Sequence, residues 1–277
     1  MDGADASRRL LRRYLAQDPI DLARAALAIA REEYPDLDEG RYLRLLDRFA
    51  QGVQAGVPAG ASPERRVGRI NTYLFHELGF SGNQSDYYDP RNSFLNQVLD
   101  RRIGIPLTLS IVYIEVGRRC GLRVDGIGFP GHFLCKVQVE GGELVVDPFH
   151  HGQLLGADEL KRRLASAVGD EVKFDPRLLR PATARDILVR MLQNLRSVYQ
   201  ERRDIPRALS AVDRLLLLAP DNIRALRERA QLYEQLGGPA AAAADLEKVL
   251  QLEPGASDAQ ALRARVRRLR DALPFLN

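Results

Sequence analysis

The chain has 277 residues, 45% hydrophobic and 28% charged, the make-up of a globular protein with room for two domains. Its two cysteines, Cys120 and Cys135, exclude a disulfide framework and a Cys-rich zinc site, and a reducing cytoplasm is expected. A net charge of +4, no apolar run of membrane length and a start without an apolar leader core argue against a membrane-bound or secreted protein, and nucleic acid is not the expected partner. The densest basic run, "RARVRRLR" at 263–270, is read as the solvated face of a terminal helix.

In chain order, residues 1–60 read as helical. "DLARAALAIAREEY" and "RYLRLLDRFAQGVQ" repeat apolar residues at helical spacing, with Pro35 and Gly40 breaking between them. "AGVPAGASP" is a loop, and a third helix runs from Glu64 to Gly79. The polar loop "SGNQSDYYDPRNS" leads into a short helix, "FLNQVLDRR", with Ser93 or Asn92 as cap. Then the character changes. Helix "LTLSIVYIEVGRRC" ends at Gly121 and is followed by "RVDGIGF", "HFLCKVQVE" and "ELVVDPF", the last two read as a hairpin turning at Gly141-Gly142. The fold class is therefore α+β: a helix on a small antiparallel sheet, flanked by helices.

The C-terminal third repeats itself. Tyr199 and Tyr233 stand 34 positions apart, as do Leu192 and Leu226, Ala208 and Ala242, and Pro220 and Pro254. That period, with small residues at a helix crossing and a proline closing each pair, resembles the tetratricopeptide repeat. Two units fit, 189–222 and 223–256, and Leu262, Val266 and Leu269 mark one more amphipathic helix as a cap.

The order helix, His132, Asp147 is where a thiol hydrolase keeps its nucleophile, base and orienting acid. His132 and Asp147 flank the hairpin turn and are expected to face each other. The pair admits three readings: a structural hydrogen bond, a binding pocket, or catalysis. Neither cysteine stands near it. Cys120 lies at the wrong end of its helix for a thiolate, and strand parity turns Cys135 from His132. His150 and His151 follow Asp147, but adjacent histidines rarely share one ion. No metal and no cofactor are expected, and His76 is read as an ordinary helix residue.

Residues 86–155, from "DYYDPRNSFLNQVL" to "VVDPFHHGQLL", resemble the SirB-type branch of the transglutaminase-like superfamily, bacterial proteins that carry C-terminal tetratricopeptide repeats. The resemblance implies a papain-like core and, in active members, a Cys-His-Asp triad. His132 falls on the triad His and Asp147 on the triad Asp. The triad Cys, counted fifteen residues back from Gly121, falls on Pro106, which suits a first helical position but is no nucleophile. Thr108 would have to point outward to replace a thiol, and Ser110 reads as a buried helix hydroxyl. Arg91, Asn92 and Asn96 are candidate ligands beside His132. The glycines of "GFPGH" would let a ligand or backbone come close to His132. The expected organisation is a transglutaminase-like domain over 1–180, with core 86–155, and repeats over 184–277. The expected function is a non-catalytic scaffold, a pseudoenzyme that binds a protein or peptide through the repeat groove. The alternative is an active acyl transferase or peptidase with an unconventional nucleophile.

Overall fold

The computed structural model describes residues 3–169 and 171–272. It divides into two compact units, Met1–Met191 and Leu192–Asn277. The division falls inside one helix, whereas sequence places the change at 180–184.

The first unit opens with helices α1 (Gly3–Leu15), α2 (Leu22–Ala30), α3 (Glu39–Ala55) and α4 (Pro63–Asn71), the last continued by a wider π-type turn, Thr72–Glu77. Asp21, Asp38 and Ser62 cap three of them, each accepting the backbone N–H three residues on. Two-residue strands β1 (Ser81–Gly82) and β2 (Ile103–Gly104) pair in parallel around α5 (Leu95–Arg101). Next comes α6 (Pro106–Arg119), in which every residue from Pro106 to Gly117 is buried. A helix apolar on all sides has to be surrounded; α6 packs against α2, α3, α4 and α5 and against the sheet.

That sheet is antiparallel throughout, with order β6-β5-β4-β3-β7: β3 Val124–Ile127, β4 Leu134–Val139, β5 Gly142–Asp147, β6 Gln153–Leu155 and β7 Pro181–Ala182. Helix α7 (Ala157–Val168) completes a second apolar layer, in which Leu160 and Leu164 join Ile127, Leu134 and Val145. Strand alternation sorts the two faces. The Cys135 thiol donates to the Ser110 carbonyl on α6 at 3.7 Å, so odd residues of β4 face α6. Leu134 and Val145 face α7, and Asp147, two beyond Val145, projects to the α7 side.

The hairpin turns one residue earlier than read from sequence: Val139 pairs with Gly142, which leaves Glu140 and Gly141, at φ +83°, in the turn. His132 consequently lies before β4, in the loop that follows Gly131, and the residue opposite Leu134 in this register is Asp147.

Helix α8 (Ala184–Glu201) crosses the division between the units. The second unit then holds α9 (Ile205–Leu218), α10 (Ile223–Gln235), α11 (Pro239–Leu252) and α12 (Ala259–Asp271). The repeated positions are its core: Leu192 and Leu226 are buried, and Ala208 and Ala242 are fully buried. Arg229 binds Asp213 at 2.9 Å and Asp245 at 2.6 Å, tying α9, α10 and α11 together. Residues 273–277 of the expected repeat segment lie outside the described residues. Among the described residues, no helix is long and apolar enough to cross a membrane.

Candidate functional site

The end of β5 aims Asp147, fully buried, at the loop before β4. Its Oδ1 accepts the backbone N–H groups of Phe149 (3.0 Å) and His150 (3.2 Å), which folds the chain sharply at Pro148. Its Oδ2 accepts from His132 Nε2 at 2.9 Å and His150 Nδ1 at 2.7 Å, and from the Arg163 guanidinium on α7. Burial alone would raise the Asp147 pKa. The His132 hydrogen bond and charge, then Arg163 and His150, outweigh it and hold the carboxyl far below the usual carboxylate range. Arg163 is steadied by Glu159 at 3.0 Å and Gln153 at 3.1 Å.

The distance expected between His132 and Asp147 is therefore present, reached from a loop rather than across paired strands. Nε2 is the engaged ring nitrogen, and among the described residues Nδ1 has no hydrogen bond. Phe149 stands edge-on to His132, with centroids 5.8 Å apart, and Tyr87 meets Phe149 in the same manner at 6.4 Å. A cavity of about 420 Å³ opens beside the ring, walled by Pro130, Gly131, His132 and His150 and by Arg163, Ser166 and Ala167 of α7.

Other sequence candidates lie elsewhere. Pro106 is the first residue of α6 and buried. Thr108 points inward, contrary to what a nucleophile requires: its hydroxyl accepts the Ile105 N–H at 3.1 Å and donates to the Asn92 carbonyl at 2.7 Å. Ser110, buried as expected, donates to the Phe133 carbonyl. Asn92 is fully buried and braces its own loop, donating to the Asp86 carbonyl at 2.8 Å and accepting from Asn83 at 3.2 Å. Arg91 is spent on Asp89 at 2.8 Å, and Asn96 is buried within α5 with an unpartnered Oδ1. None of Arg91, Asn92, Asn96 and Thr108 lines the cavity at His132. The residue this segment does send toward the site is Tyr87, 43% exposed.

Both thiols are buried. Cys120 donates to the Ala50 carbonyl at 3.7 Å, and burial pushes both pKa values up, that of Cys135 far more. Among the described residues, His132, Asp147 and His150 could bring ligand atoms within 4.8 Å of one another. His151 does not join them; at φ +54° it turns toward Phe75. The trio suits a cation poorly, since the Arg163 guanidinium occupies the same carboxylate oxygen.

A family model described as the transglutaminase-like superfamily matches residues 40–193, and one for the tetratricopeptide repeat matches 195–267; the chain belongs to the transglutaminase-like superfamily. Within it, the kinship is to the SirB-type UPF0162 proteins. One from Xylella fastidiosa (strain 9a5c) is 43% identical over 249 residues, 89% of each chain. One from Pseudomonas aeruginosa is 32% identical over 86% of this chain and 87% of its own. Mouse F-box only protein 21 is 32% identical over 185 residues, 61% of this chain and 28% of that protein.

Proposed function

We propose that the protein is an interaction factor in which a transglutaminase-like core, without thiol chemistry, is joined to tetratricopeptide repeats that engage a protein or peptide. The observation that carries this reading is the state of the hydroxyls and thiols around α6. Pro106 opens the helix, Thr108 and Ser110 are buried and hydrogen-bonded to backbone carbonyls, and Cys120 and Cys135 are buried with raised pKa values. Covalent catalysis needs an activated nucleophile within reach of its base. The core then supplies a rigid platform, with Asp147 fastening the loop, the hairpin and α7 at one point. The repeats supply the binding surface, as stacked helix pairs do.

A second reading has one observation in its favour. His132 keeps a fixed ring and, among the described residues, an unengaged Nδ1 beside an open cavity, and Ser166 brings a hydroxyl to the wall. That arrangement would serve an acyl transferase or peptidase with an unconventional nucleophile.

In-cell cross-linking of the whole chain, read by mass spectrometry, tests the first reading. Cross-links from residues 192–271 to a reproducible protein partner are expected. A chain that cross-links to no protein above background, and turns over an acyl substrate, would replace it with the second.

A further inference from the structure

The loop 128–133 also borders a second cavity, of about 310 Å³, lined among others by Gly128, Phe133, Arg177, Arg180, Asp186 and Arg190. Arg190, on α8, is half-buried there and makes no ion pair with a carboxylate among the described residues. Arg119, Arg163 and Arg229, also half-buried, each face two carboxylates. Arg190 has instead two long contacts, from one nitrogen to the Phe129 and His132 carbonyls, both 3.5 Å, and the Phe133 ring with its centroid 5.5 Å away. Burial draws its pKa down, with only Tyr87 acting weakly against it. Among the described residues the guanidinium makes no short hydrogen bond, which leaves donors free for a ligand in the cavity.

Its charged neighbours in the wall are two arginines and one acid. Arg180 is exposed and likewise makes no ion pair among the described residues; Arg177 pairs with Asp175 at 2.6 Å at the surface. The acid in the wall, Asp186, has one oxygen, Oδ2, engaged by the Thr183 N–H (2.9 Å) and hydroxyl (2.7 Å). Gly128 makes room for the arrangement: a Cβ there would stand 2.5 Å from an Arg190 terminal nitrogen.

We propose that this cavity binds a small carboxylate, held by the Arg190 fork, and that its occupancy is transmitted to His132 through the carbonyls Arg190 touches. Guanidinium and carboxylate match in plane and spacing, which favours this anion over a tetrahedral one. The volume takes a small acid or the end of a peptide chain. The proposal is independent of whether His132 is catalytic.

The test is NMR of the imidazole signals, of which the chain has four, from His76, His132, His150 and His151. The His132 signal is assigned by its loss in His132→Asn. Acetate and N-acetylglycine are titrated into the whole protein, with inorganic phosphate as one comparison and sodium chloride at matched ionic strength as another. A saturable shift of the His132 signal with the carboxylates is expected, lost in Arg190→Gln and weakened about tenfold or more in Gly128→Ala. Should Arg190→Gln not fold, Gly128→Ala carries the comparison, because it displaces only the tip of a flexible side chain. No saturable shift, the same shift with chloride, a response to phosphate alone, or full affinity in the variants would overturn the proposal.

Discussion

Two polar regions of the first unit spend their hydrogen bonds differently. In the 83–108 segment, Asp89, Asn92 and Thr108 satisfy backbone groups and one another, and Asn92 and Thr108 are fully buried. At the end of β5, Asp147 is just as buried, yet the groups it gathers keep an open side: His132 and His150 border a cavity. The first network fixes a loop; the second fixes side chains whose remaining atoms stay available. Density of polar residues does not separate the two. What separates them is whether the donors are used up.

The comparison can be broken most severely at Asp147. Asp147→Asn removes the charge that compensates Arg163 and should destabilise the first unit by about 3 kcal/mol, measured by chemical denaturation. A change below about 1 kcal/mol would mean that the carboxylate is not the anchor described here. The same residue sets a pH dependence. Its pKa is lower folded than unfolded, so its stabilisation is fully present above the unfolded value of about 4 and is lost as pH falls from there toward the folded value. The advantage of the wild type over Asp147→Asn should therefore shrink in melts below about pH 4. An advantage that grows in acid would have the wrong sign.

Thr108→Val probes the other network. It keeps the shape and removes the hydroxyl, leaving the Ile105 N–H and Asn92 carbonyl unpaired, with an expected loss of about 2 kcal/mol. The His132 ring signals should not move; if they do, the two networks are one. Smallest of all, Tyr87→Ala at an exposed position should change stability by no more than about 0.5 kcal/mol, while shifting the NMR signals of the Phe149 ring it touches. Unchanged Phe149 signals would separate Tyr87 from the site.

What was legible in the sequence was local. The repeats could be read because Ala208 and Ala242, or Leu192 and Leu226, recur at one period and do the same packing work in each unit. The sheet could be read from its glycines, and His132 and Asp147 from their resemblance to a known triad. The one-residue difference in the turn at Glu140 and Gly141 arose because two adjacent glycines look equally good as turn residues, whereas only Gly141 has the positive φ. Arg163 and Arg190 could not be read. They arrive from helices 16 residues after Asp147 and 58 after His132, with nothing in their own segments to mark them. Asn92 and Thr108 erred in the opposite direction: residue types that often bind ligands were needed to close a loop.

The central claim is that the core holds the His132–Asp147 pair without performing acyl chemistry. It is tested most directly by incubating the whole protein with glutamine peptides, peptide amides and esters in the presence of a primary amine. Product is followed together with the intact mass of the protein, for wild type, His132→Ala and Ser166→Ala. The account predicts no covalent adduct on the protein and no turnover that depends on His132. An acyl adduct, or product formation that disappears in His132→Ala, would contradict it, and loss of that adduct in Ser166→Ala would name the nucleophile.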